Sequence, residues 1–289
     1  MDNKNISVNN HARKMLAQNV AFTTFRILSG VIVTILFIIL AFIIIKGASV
    51  LNWDFITTPP TDGMKGGGIW PAIVGTFYLM VGSALFAFPL GIMSGIYMNE
   101  YASHGKIVKF IRMMTNNLAG IPSIVFGLFG MSLFVNFFGF GDSILAGSLT
   151  LGLLALPLVI RTTEEALKAI PNSFREGSLA LGATKLQTIW HVILPMGMPN
   201  IITGLILALG RVSGETAPIL FTCAAYFLPQ LPESVFDQCM ALPYHLYVLA
   251  TSGAGAGDHH SLCKLAGKRA PQLFPKQAEN ELIQHRTDL

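Results

Sequence analysis

Residues 27–45 read ILSGVIVTILFIILAFIII, an uncharged apolar run held between Arg26 and Lys46. A helix needs roughly 20 mainly apolar residues to cross a bilayer core, and this run supplies them. It is too long for a signal-peptide core and no A-x-A site follows it, so it reads as an uncleaved anchor. Working outward, four more stretches qualify or nearly so: about 72–98, ending at Asn99 and Glu100; about 118–138; about 143–160, ending at Arg161; and about 196–220, which contains Arg211 and Glu215. The expected fold class is therefore all-α, a polytopic membrane protein with five predicted transmembrane helices. A short turn at 139–142 should join the third and fourth spans as an antiparallel hairpin.

Composition agrees. Of 289 residues, 52% are hydrophobic and 12% are charged, about half the share of roughly 25% in soluble proteins. That excludes an ordinary soluble domain and a disordered one. The net charge of +4 reads as basic residues flanking spans in contact with lipid, not as a nucleic-acid surface. Cys223, Cys239 and Cys263 form no CxxC pair, so neither a disulfide framework nor a zinc site is indicated. Cys223 and Cys239 could share the outer side, but spacing alone does not join them. His259 and His260 have no acidic or cysteine partner at ligand spacing, so no metal is expected. Trp53, Trp70 and Tyr101 fit interfacial belts.

Lysine and arginine set the orientation. Counted from the N-terminus, the segments before and between the spans carry 4, 2, 3, 0 and 4 of them and residues 221–250 carry 0, while the tail 254–289 carries Lys264, Lys268, Arg269, Lys276 and Arg286 against the rule. The N-terminus and the connections 99–117 and 161–195 are therefore expected to be cytoplasmic. The expected organisation is a cytoplasmic segment 1–26, a transmembrane domain 27–253 and a polar tail 254–289.

The 161–195 connection is too long to be a plain linker. Residues 173–195 read SFREGSLALGATKLQTIWHVILP. Ser173 with Glu176, and Thr184 with Gln187, have the spacing of capping boxes. Gly182 can end the first helix in a left-handed turn, and Pro195 should stop the second. Two short amphipathic helices on the cytoplasmic face follow, either tidying the loop at the interface or forming a docking knob for a soluble partner. Glu164 and Glu165 read as a solvated helix start.

Glu176, Gly182 six positions on, then Val192, Leu194 and Pro195 resemble the EAA loop of binding-protein-dependent ABC importer permeases, with Gly177 and Ser178 replacing two alanines. The likeness extends to Pro89-Leu90-Gly91, to Ile96 through Tyr101, to Ala119 through Gly130, and to Gly210-Arg211-Val212-Ser213-Gly214-Glu215-Thr216-Ala217-Pro218. The Gly-Glu-Thr-Ala-Pro ending is similar to the A-type permease subunit of the phosphate transport system. The resemblance implies an inner-membrane permease for inorganic phosphate working with a homologous permease subunit, two ATP-binding subunits and an extracytoplasmic phosphate-binding protein. It implies ATPase coupling through Glu176, Gly182, Leu194 and Pro195, and a basic residue of the pathway at Arg161. Sulfate or molybdate is the alternative cargo.

No Walker loop, Gly-x-Ser-x-Gly or HExxH occurs in the chain, and Lys65-Gly66-Gly67-Gly68 reads as a flexible turn. The chain is thus expected to be no enzyme and to hold no cofactor, ATP being bound by a partner. Arg211 and Glu215 are the sharpest feature, because a mid-span charge costs about 2.5–3.5 kcal/mol on insertion scales. Their i,i+4 spacing lets them pair on one helix face. Two readings stand: an ion pair holding two helices together, or an anion site in which the Arg211 guanidinium takes oxyanion oxygens and Glu215 holds it when empty. Arg161 reads as a snorkelling end residue or, through the resemblance, as a second pathway cation. Pro199 and Pro218 should loosen the fifth span.

The likeness stops at Ser252-Gly253, where family members continue into a sixth span. The expectation is that this last helix is missing, through an altered frame or a truncated gene. A non-transporting membrane protein is then a further alternative, beside a divergent tail.

Overall fold

A computed structural model describes residues 2–48, 50–61, 66–102 and 105–252. The polar tail, with Cys263, His259 and His260, and the question of the last helix lie outside them. The chain divides into two compact units, the second beginning at Trp53. The first contains α1 (Asp2–Gly47), whose stretch Gln18–Gly47 is long and apolar enough to cross a membrane.

The second unit is built on three long helices. These are α3 (Trp70–Ile96), continued by a π-turn Tyr97–Tyr101; α6 (Ile144–Lys168); and a rod made of α8 (Lys185–Thr188), a π-turn Ile189–Ile193 and α9 (Leu194–Ser213). Each is long and apolar enough to cross a membrane. A preceding short helix, α2 (Trp53–Thr57), leads into a two-residue hairpin of β1 (Pro60–Thr61) and β2 (Gly66–Gly67). Gly66 and Gly67 are thus paired backbone, not a free turn. Gly67 has φ +80°, and a side chain there would overlap the Pro59 carbonyl.

Small residues set the packing. Gly91 lies against Val159 and Gly95 against Thr163, so α3 and α6 run parallel. Gly204 lies against Thr162 and Gly197 against Leu167, so α9 runs antiparallel to α6. A Cβ at Gly91, Gly95 or Gly204 would meet the branched side chains of Val159, Thr163 or Thr162 at 2.5–2.6 Å and force the helices apart, which removes dispersion contacts along the seam.

The third expected span is broken. Residues 118–138 are not one helix: α4 (Lys106–Leu118) ends, Pro122 intervenes, and α5 (Ser123–Gly130) starts after a bend of 100°. Proline disfavours helix in the residue before it, so Ile121 breaks the run. With its π-turn Met131–Phe137, α5 rises only about 22 Å at 1.5 Å per residue, short of a core of about 30 Å. The glycine turn predicted next is present, with Gly139 at φ +70° and Gly141 at +67°. The Ser143 hydroxyl then caps α6 by accepting from the Ala146 N–H at 3.2 Å.

The fifth span also differs. Its helix starts earlier, at Lys185, because the π-turn carries the chain through Pro195 without a stop. It ends earlier too, at Ser213, with Gly214 as its C-cap. A short α10 (Ala217–Leu220) follows, and after an irregular stretch α11 (Leu242–Ser252) completes the described chain.

Candidate functional site

The bundle has two unlike ends. The C-termini of α3 and α6 and the start of the α8–α9 rod share one end, together with α7 (Asn172–Ala180). Charge gathers there. Arg175 of α7 holds Glu100 through Nη2 at 2.7 Å and Nε at 3.1 Å. Its Nη2 also donates to the Leu167 carbonyl and its Nη1 to the Ile170 carbonyl, both at 2.9 Å. Asn99 donates to the same carboxylate at 2.7 Å. One guanidinium thus ties α7 to the ends of α3 and α6. The side chains are 18% and 7% exposed, so water screens this pair little.

A second cluster lies nearby. Glu164 accepts ion-pair contacts from Arg112 at 2.8 Å and Lys168 at 2.6 Å, and its side chain is only 11% exposed. It is therefore no solvated helix start: it sits one turn before the C-terminal end of α6, where α4 passes over it. A cleft of about 160 Å³ is lined here by Met98, Arg112, Thr115, Arg161, Glu164 and Lys168, among others. Arg161 does not end its helix, which runs on to Lys168. Its exposed side chain pairs with Glu165 at 2.9 Å.

The helix pair α7–α8 projects from this end. Its first capping box is absent, because Pro171 occupies the N-cap and no side chain closes that end. Starting the helix one residue before Ser173 leaves that hydroxyl inside the first turn, where it cannot act as cap. The second box is formed, with Thr184 and Gln187 exchanging both bonds at 2.8 and 3.3 Å. Gly182 has φ +84°, the left-handed turn between the two. Ser178 and Thr188 hydroxyls bridge the pair at 2.9 Å. Glu176 and Gly182 are exposed, and Phe174, Leu179, Leu181, Leu186 and Trp190 present unpartnered apolar surface around them, Leu181 at 91% exposure. Leu194 is buried with Leu167, Ile170, Ile193 and Ile201, so it anchors the rod, while Pro195 is exposed.

Arg211 lies in the last turn of α9, at the opposite end, not at mid-span. There the guanidinium also faces the negative end of the helix dipole. Glu215 falls beyond the helix end and meets Arg211 Nε at 3.5 Å, with 43% and 16% of the side chains exposed. Since Gly204 packs on Thr162, Arg211 is about 10 Å further along the bundle axis than Arg161 at 1.5 Å per residue. The two cations do not form one site within this chain. Pro199 sits inside α9 without ending it, and Pro218 lies in the first turn of α10.

The Arg175–Glu100 clamp and the Arg112–Glu164–Lys168 cluster join residues far apart in sequence, and no spacing rule reaches them. The one local signal was polar residues placed where long apolar runs end. Among the described residues no group of histidine, cysteine, aspartate or glutamate could hold a metal ion.

The whole is a bundle of apolar helices long enough to span a membrane, with an exposed, apolar-tipped helix pair clamped to two of them. The chain matches the family described as binding-protein-dependent transport system inner membrane component over residues 87–251. It is 37% identical over 252 residues to the "Probable ABC transporter permease protein YqgI" of Bacillus subtilis (strain 168), covering 83% of this chain and 85% of that protein. It is 37% identical over 257 residues to the phosphate transport system permease protein PstA of Mycobacterium leprae, covering 87% and 82%. With PstA of Haemophilus influenzae the identity is 35% over 218 residues, covering 74% and 75%. The chain belongs to the binding-protein-dependent inner-membrane permeases: it is a membrane-embedded permease of an ABC transporter.

Proposed function

We propose that this chain is a permease subunit of an ATP-driven importer of inorganic phosphate. It lies in the inner membrane with its N-terminus and the α7–α8 pair in the cytoplasm. It works beside a homologous permease, on two ATP-binding subunits and below an extracytoplasmic phosphate-binding protein. ATP is bound and hydrolysed on the partner, and this chain supplies passage and coupling. The observation that carries the reading is the α7–α8 pair: exposed at Glu176, Gly182 and Leu181, yet locked by Arg175 to Glu100, to the Leu167 carbonyl of α6 and to the Ile170 carbonyl just beyond it. A push on the pair reaches two spans at once, which is what rocking of helices in alternating access requires. Relatives described as phosphate permeases support the cargo.

In the passage, Arg211 and Arg161 act at successive depths, each with a glutamate that holds it when no anion is bound. The test is ATP-dependent uptake of labelled phosphate by the reconstituted complex. Saturable uptake that excess sulfate and molybdate leave intact is expected. Uptake that either anion competes away would reassign the cargo.

A further inference from the structure

At the end of the bundle opposite the charge clusters, the chain from Gly214 to Ala241 folds over the N-termini of α3 and α6. Its carbonyls take the free N–H groups that every helix start leaves over: Ser143 donates to Thr222, Ile144 to Asp237 and Leu145 to Val235, at 3.0, 2.9 and 2.9 Å. Cys223 and Cys239 meet inside this cap, 16 positions apart in sequence, with their Sγ atoms at 3.3 Å. Both are buried.

The backbone holds them side by side independently of the sulfurs. Cys239 N–H donates to the Cys223 carbonyl at 3.3 Å, and Ala225 N–H to the Cys239 carbonyl at 3.1 Å. Neighbouring glycines make the room. A Cβ on Gly75 of α3 would come within 3.0 Å of the Cys239 Cβ, and one on Gly147 of α6 within 2.7 Å of the Cys223 Cβ. Thiols so confined can turn to few partners except each other. The segment 221–250 carries no lysine or arginine, which places it outside the cytoplasm, where disulfides persist.

We propose that Cys223 and Cys239 are joined as a disulfide in the mature protein, a covalent staple across the outer cap. Two thiols become one S–S bond with loss of two protons and two electrons. The electrons go to a dithiol–disulfide oxidoreductase of the outer compartment. One cysteine thiolate attacks the oxidant's disulfide to give a mixed disulfide, and the second displaces the oxidant as its dithiol. This exchange precedes burial. In the folded reduced pair, the hydrogen bond with Cys223 and the surrounding apolar packing push the Cys239 thiol above its ordinary range, so thiolate is scarce. Once formed, the bond is shielded from reductants by the same packing. It closes the loop 224–238, whose Tyr226, Leu231, Val235 and Phe236 are exposed, and holds that loop in register over the α6 N-terminus.

The staple rests on the outward placement of the cap, so the test separates placement from pairing. Protein is purified from membranes without reductant, denatured, alkylated with N-ethylmaleimide and mapped by mass spectrometry. Expected are a peptide linked through Cys223 and Cys239, lighter than the dithiol by two hydrogens, and alkylation at Cys263 alone. The Cys263→Ser variant is expected to take no label. Alkylation of Cys223 and Cys239, or linkage of either to Cys263, overturns the proposal. In parallel, Ser234→Cys, introduced with Cys223→Ala, Cys239→Ala and Cys263→Ser, is probed on intact cells with a membrane-impermeant maleimide. Labelling is expected. Its failure overturns the placement and the staple with it, whereas free thiols beside successful labelling overturn the staple alone and leave the transport reading standing.

Discussion

The two ends of the second unit are closed by different physics. At the basic end, charge joins the elements: Arg175 to Glu100, both largely buried, and Arg112 of α4 to Glu164 of α6. At the other end, backbone carbonyls, glycines and two thiols do so, and no cation from residues 221–250 takes part. A buried ion pair is directional and punishes the loss of one partner severely. A glycine-seated cap spreads its stabilisation over many weak contacts and fails through overpacking. The first suits a joint that must move as one piece, the second a lid that must stay shut.

The sharpest way to break the contrast is Glu100→Ala. It strands the Arg175 guanidinium among carbonyls and should cost about 3–5 kcal/mol at that joint. Amide hydrogen exchange in Asn172–Ala180 should rise steeply, and phosphate uptake should fall by more than ATP hydrolysis does. Equal losses of both would mean that the clamp merely stabilises the fold. Gly75→Val drives a side chain into the Met240 carbonyl and should cost about 1–3 kcal/mol by overpacking, read as a lower Tm with the α7–α8 pair undisturbed.

Smaller effects sharpen the picture of the projecting pair. Gly182→Ala imposes a left-handed residue at φ +84°, at about 1–2 kcal/mol, and should weaken capture of the ATP-binding subunit. Thr184→Ala removes half of a formed capping box and should cost about 1 kcal/mol, visible as fraying of α8 in exchange measurements. Arg211→Ala should be the mildest for stability, below about 1 kcal/mol, because the pair is long and half exposed. A loss of uptake far beyond that shift would assign Arg211 to the passage.

Much of this was legible in the sequence. Length and hydropathy located four spans, since both are local properties. The Thr184 box and the Gly182 turn were legible for the same reason: three or four adjacent residues define each. The Ser173 box failed because Pro171 claims the cap position first. The break at Ile121-Pro122 was hidden inside a run that is apolar on both sides, so hydropathy could not see the bend. Glu164 looked solvated because its two cations come from different places, one of them on α4. The meeting of Cys223 with Cys239 depends on a chain reversal that no periodicity encodes.

The π-turn at Ile189–Ile193 has a mechanical consequence. Because Pro195 does not interrupt the rod, α8 and α9 run on as one helical lever from the projecting pair into the bundle. A displacement of its tip would be felt where the shaft is seated closest on its neighbour, at Gly204 against Thr162, and the glycine seam would serve as its fulcrum.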